Sequence, residues 1–85
     1  MNDAKRGVKM TEQDWRYEFS DMLLNSLNYA NMTQIDLARA TGLSAATISA
    51  YVNGEKTPKV SAVLKIAYAL DVDVAELIDF GEVID

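Results

Sequence analysis

The chain has 85 residues and a mass of 9.4 kDa, which is room for one small domain that buries about 60 to 65% of its unfolded surface. Apolar residues at 49% and charged residues at 25% match globular usage and exclude a disordered chain, and no apolar run approaches the roughly 18 residues that span a bilayer. Eight Lys and Arg against 13 Asp and Glu give a net charge of −5, with neither histidine nor cysteine; taken whole, that balance argues against nucleic acid, whose binders normally carry a basic surplus.

In chain order, Trp15, Phe19, Met22, Leu23, Leu27 and Ala30 step by 4, 3, 1, 4 and 3 and lay one apolar stripe along a helix over about 12–29. Thr11 followed by Asp14 reads as its N-cap with an acid in the first turn. Asn28 and Asn31 form the first turn. Thr33 then caps a second helix, Gln34 to Thr41, with Leu37 and Ala38 inward and Gly42 at the left-handed stop. Ser44 caps a third helix through Val52, apolar at Ile48, Tyr51 and Val52, and Asn53-Gly54 ends it. Beyond Pro58, the residues Val60, Val63, Leu64, Ala67 and Leu70 mark a fourth stripe. Asp73 with Glu76 precedes a short fifth helix around Val74 to Ile78. The predicted fold class is all-α: five compact helices, with no period-two segment and no internal repeat. Residues 1–10 are predicted to be a flexible arm, 11–79 the domain and 80–85 an acidic tail.

The missing residue types restrict the chemistry. Without Cys or His there is no thiolate nucleophile, no disulfide, no thiolate or imidazole metal site and no Ser-His pair. The acids are scattered over predicted surfaces and so few residues leave little depth for a substrate cleft. The expectation is therefore no enzyme, no metal and no cofactor. The first ten residues are polar, mixed in charge and without the apolar core of a signal peptide, which predicts a cytoplasmic protein with no membrane partner.

Charge divides unevenly along the chain. Residues 1–30 sum to −1, residues 31–70 to +2 and residues 71–85 to −6. The whole deficit is C-terminal, and a partner of the middle segment is to be judged on local charge.

That middle segment contains the most specific pattern in the chain. From Gln34 to Asn53 it reads Q-I-D-L-A-R-A-T-G-L-S-A-A-T-I-S-A-Y-V-N. Its small and apolar residues stand where two helices crossing steeply need them: Ala38 is small under the second helix of the pair, Gly42 turns the chain, and Leu37, Leu43, Ile48 and Tyr51 fill the angle. With M-T-Q-I-D-L-A, T-G-L-S, T-I-S, N-G-E-K-T-P and the closing K-I-A-Y-A-L-D-V, the stretch from Leu23 to Ile78 resembles the lambda-repressor-like, Xre/Cro-type helix-turn-helix family.

The resemblance implies a five-helix DNA-binding domain, often a repressor of phage or mobile-element type that binds a palindromic operator as a homodimer. It places the third helix in the major groove and the second across the backbone. The positions matching the family's base readers are Ser44, Ala45, Ala46, Ser49 and Ala50. Gln34 matches the phosphate-contacting glutamine at a helix start, and Thr47, Asn53, Lys56 and Lys59 complete a phosphate clamp. Bland alternatives stand beside these: the alanines as helix formers on a solvent face, Gln34 as an ordinary surface residue, Asn53-Gly54 as a turn alone, and Lys5, Arg6 and Lys9 as a solvated terminus rather than an arm around DNA.

Two departures matter. The usual readers are Gln, Asn or Arg, whose bidentate bonds each discriminate bases by about 1 to 3 kcal/mol; this face has none, so specificity is expected to lean on thymine methyls, operator shape and dimer spacing. Many members also pair an Arg on helix 1 with a Glu before Asn-Gly, and here those positions are Leu27 and Val52, so both charges are absent together. The competing reading is an antitoxin or anti-repressor module whose acidic C-terminus binds a basic protein partner. Phe80, Val83 and Ile84 alternate with acids, as a dimer contact or as a terminus packed on helix 1. The tail is expected to lie away from phosphates and to weaken non-specific binding by repulsion that salt screens.

Overall fold

The computed structural model describes residues 11–74, which form α1 (Glu12–Ala30), α2 (Gln34–Thr41), α3 (Ala45–Val52) and α4 (Val60–Leu70), with no strand among them. The all-helical expectation is met. Of the predicted fifth helix only its start at Val74 is described; the rest, the N-terminal arm and the acidic tail lie outside the described residues.

Local chemistry sets the helix ends. Thr11 accepts a hydrogen bond from the N–H of Asp14 while the Asp14 carboxylate accepts one from the N–H of Thr11, a complete capping box. Thr33 and Asp36 repeat it at α2. Ser44 caps α3 through the N–H of Thr47. Chain reversals use left-handed residues: Asn31 after α1, Gly42 between α2 and α3, Gly54 after α3 and Asp71 after α4. Asn28 lies within α1, whose final turn extends to Ala30, with the left-handed Asn31 stopping it.

The core is built from all four helices: Phe19, Leu23 and Leu27 of α1, Leu37 and Ala38 of α2, Ile48, Tyr51 and Val52 of α3, and Ala62, Val63, Ile66, Ala67 and Leu70 of α4. The ring of Phe19 stands edge-on to Tyr51 at 5.9 Å and tilted against Trp15 at 5.6 Å, arrangements that aromatic quadrupoles favour. α1 thus packs on α3, while α2 packs on both α3 and α4.

The expected apolar stripes need correction at three places. Val60 and Leu64 face solvent, at 77% and 52% exposure, and α4 instead buries Ala62 and Ile66. The sequence V-S-A-V-L-K-I-A-Y-A-L is apolar on most of its circumference, so two stripes sharing Val63, Ala67 and Leu70 fit the period equally and packing selects between them. Ala30 is exposed at the end of α1, and Trp15 and Met22 are half-buried at the edge of the core.

Gly54 is the tightest turn. At φ 71° it adopts a backbone that L side chains resist, and a Cβ there would stand 2.9 Å from Cδ1 of Tyr17. Gly42, at φ 78°, has open space where a Cβ would point. Gly42→Ala should therefore cost only the left-handed penalty, about 1 kcal/mol, whereas Gly54→Ala adds a ring displacement and should cost about 2 kcal/mol or more. Urea unfolding of the two variants checks the order, and Tyr17→Ala combined with Gly54→Ala should bring the second cost down toward the first.

Candidate nucleic-acid interface

The two short helices place their outward residues by what they bury. In α3, Ile48 is fully buried and Tyr51 and Val52 nearly so, which turns the start of the helix outward: Ser44, Ala45 and Ala46 are exposed, and Thr47, Ser49 and Ala50 are half-buried. The five expected base-contact positions therefore do not form one uniformly open face. The opening turn is open, whereas Ser49 and Ala50 lie on the flank where the helix meets its neighbours.

Their polar atoms are also partly engaged within the domain. The Ser44 hydroxyl accepts from the N–H of Thr47 at 3.0 Å and donates to the Thr47 hydroxyl at 2.9 Å. The Ser49 hydroxyl accepts from Nδ2 of Asn53 at 3.4 Å, and the Asn53 N–H bonds the Ser49 carbonyl at 2.9 Å. Ser44 with Thr47, and Ser49 with Asn53, thus form two small polar pairs at opposite ends of α3. No residue of α3 is charged, so no acid in its first turn offsets the positive end of the helix.

At α2 the geometry is similar but the charge differs. Gln34 is half-buried at the first helical position. Asp36 supplies a carboxylate in that same turn, and its pKa is lowered, first by the hydrogen bond from the Thr33 backbone, then by the Thr33 side chain, with Arg39 adding a smaller attraction. Lys56 and Lys59 are exposed on the segment joining α3 to α4, beside the exposed Asn53. Lys59 is the N-cap of α4 without a side-chain cap bond, and α4 has no acid in its first turn.

That connecting segment is held from α1, an arrangement sequence reasoning missed. The Ser20 hydroxyl, buried, donates to the carbonyl of Val52. Nε of Arg16 donates to the carbonyl of Gly54 at 3.2 Å, and the Thr57 hydroxyl donates to Oε2 of Glu12 at 2.7 Å. Glu12, Arg16 and Ser20 recur every four residues along one flank of α1, which is the signal available in sequence; their targets are mostly backbone carbonyls, which carry no side-chain identity. Pro58, on the same segment, is buried. Leu27 and Val52, the two apolar replacements of the charged pair implied by the resemblance, are both buried in the common core.

Among the described residues no group of three or more potential ligands could hold a metal ion, and no helix is long and apolar enough to cross a membrane.

Asp36 generates a pH prediction. Because its folded pKa lies below the ordinary value of 3.8, the stability it contributes is complete above that value and is lost as pH falls through the lowered folded value. Asp36→Asn should flatten the acid limb of thermal stability, so that the difference in melting midpoint between the two proteins shrinks as pH falls below about 4, followed by circular dichroism between neutral and strongly acid pH.

No curated protein and no solved structure matches the chain. A family model described as helix-turn-helix does match, over residues 30–77, which spans more than half of the chain and covers α2, the turn, α3 and α4. With that match and the geometry above, the chain belongs to the lambda-repressor/Xre-type helix-turn-helix family of DNA-binding transcriptional regulators.

Proposed function

We propose that the protein is a repressor of phage or mobile-element type that binds a palindromic operator as a homodimer, with α3 entering the major groove. The observation that carries this reading is the exposure of Ser44, Ala45 and Ala46 at the start of a charge-free α3 whose opposite face, Ile48, Tyr51 and Val52, is buried. A helix can enter the groove only where its leading turn is free of the domain's own packing.

Base contact is assigned to Ser44, Ala45 and Ala46 directly, and to Ser49 and Ala50 at the edge of the same face. The two exposed alanines offer methyl groups suited to the C5 methyl of thymine. Phosphate contact is assigned to Gln34, Thr47, Asn53, Lys56 and Lys59. Lys59 fits this role well, because a cation at the positive end of α4 is unfavourable until an anion joins it. The α1 clamp, Arg16 on Gly54 and Ser20 on Val52, holds the lysine-bearing segment at a set distance from α3 before DNA arrives, so less ordering remains to be done on binding.

Selection of bound duplexes followed by sequencing tests the reading: paired half-sites about one helical turn apart are expected, and recovery of no preferred duplex would sink it. With two or three phosphates neutralised per subunit, log affinity should fall with log salt at a slope of about −4 to −5 for the dimer. Lys59→Ala should reduce that slope by about 2 per dimer and weaken all duplexes alike, whereas Ala45→Gln should change the selected sequence with the slope unaltered.

A further inference from the structure

Arg16 is a half-buried cation of α1, outside the helix-turn-helix pair, and the assignments above use it only as a clamp. Its Nε–H donates to the carbonyl of Gly54 at 3.2 Å, and among the described residues its side chain makes no hydrogen bond to a carboxylate. Glu12, one turn earlier on the same flank, gives Oε2 to the Thr57 hydroxyl at 2.7 Å. A guanidinium carries donors on both Nη atoms as well as on Nε. A carbonyl is neutral, so the partly desolvated charge of Arg16 is held in place by Gly54 without being balanced by it.

The turn that holds Arg16 is itself tied to α3. The N–H of Gly54 donates to the carbonyl of Tyr51 at 3.1 Å, and the N–H of Glu55 to that of Ala50 at 2.9 Å. From the α1 side, the Tyr17 ring lies against Gly54, where a Cβ would stand 2.9 Å from Cδ1, and Nε2 of Gln13 donates to the Tyr17 hydroxyl at 3.0 Å. The guanidinium therefore has a set position relative to α3. Its anchor falls between Asn53 and Lys56 in the chain, two exposed residues assigned to phosphate, and the exposed Glu55 is the one carboxylate of the 53–59 segment.

We propose that Arg16 is a further DNA contact: while its Nε–H stays on the Gly54 carbonyl, its Nη groups take an oxygen of the phosphodiester next to the one held by Lys56. The proposal rests on the assignment of Asn53 and Lys56 to phosphate. An arginine anchored through Nε has lost much of its side-chain freedom before DNA arrives, and its charged, planar donors bind phosphate more strongly than they bind a carbonyl. The ligand is the duplex backbone, so Arg16 adds affinity without sequence preference. With Lys56 and Lys59 it supplies three cations per subunit, one for each phosphate at the upper end of the range given above.

The test uses the full chain and a duplex recovered by selection. Arg16→Met keeps the stem and removes the charge and donors; it should lower the salt slope by about 2 per dimer, and adding Lys56→Ala should lower it by about 2 more. A double variant with the slope of Lys56→Ala alone would overturn the proposal, because Arg16 would then serve only to position Lys56. Single uncharged methylphosphonate linkages placed along the duplex locate the contact. At one position the linkage should weaken binding of the unaltered protein and leave Arg16→Met indifferent, and this position should differ from the one to which Lys56→Ala is indifferent. A scan with no such position, or with the two coinciding, also overturns it. In DNA-free protein the Nε–H resonance of Arg16 should shift saturably on titration with inorganic phosphate, and an unmoved resonance counts against the site. If no duplex binds at all, this titration still decides whether Arg16 holds a phosphate, so a failed DNA reading and a failed Arg16 site remain distinct. Should Arg16→Met unfold, Arg16→Lys takes its place: the retained charge should keep the slope, whereas a purely positioning role would release Lys56 and lower it.

Discussion

Helices of eight residues are marginal in water, because nucleation consumes most of what so few hydrogen bonds return. α2 and α3 are both of that length, and they are the two that define the family. Everything else in the domain answers this constraint. The 19-residue α1 presents Phe19 to Tyr51, fixing the rotation of α3 about its own axis. α4 closes the opposite side with Val63, Ile66 and Ala67. Caps at Thr33 and Ser44 satisfy amides that packing leaves open. The direction in which α3 points its first turn is therefore a property of the core, and the residues that set it are buried there.

This explains which features were legible in the amino-acid sequence. Caps and stops depend on one residue and its neighbours, so Thr11, Thr33, Ser44 and Gly42 read correctly, and the bounds of α2 and α3 followed from them. The inward set of α3 was equally plain, since its small and hydroxyl-bearing residues leave only Ile48, Tyr51 and Val52 as large apolar groups. α4 was different. Its alternatives Val60 with Leu64 and Ala62 with Ile66 differ by a rotation that periodicity does not resolve, and only the shape left by α2 and α1 decides. The α1 clamp was hidden for another reason: Arg16 and Ser20 address carbonyl oxygens, which every residue possesses. Of the proposed interface, the leading turn of α3 and the flanking lysines were legible, whereas the partial burial of Ser49 and Ala50 emerged from packing.

Charge is arranged by segment rather than spread. α3 has none, the residues around it supply a small positive excess, and the acids concentrate beyond residue 70. Such a layout separates two energies that are often mixed on one helix. In the proposed reading, salt-sensitive attraction resides in Lys56 and Lys59, on a segment anchored to α1, and shape and methyl contacts reside in α3. Two carboxylates, Asp36 and Glu55, lie near the proposed interface, and that of Asp36 completes the cap that a two-turn helix needs.

The two alanines that open α3 have a consequence of their own. Ala45 and Ala46 are exposed and enter no side-chain hydrogen bond, unlike Ser44, which serves the cap, and Ser49, which engages Asn53. A side chain of almost any size can be introduced there without displacing an existing contact, and alanine already supplies the best helix propensity at little cost to exchange. These two sites are therefore where the surface chemistry of the domain can be rewritten by single substitutions while Phe19, Tyr51 and the caps keep the scaffold unchanged. A lineage carrying this fold can change what its third helix touches without first acquiring stability to spare.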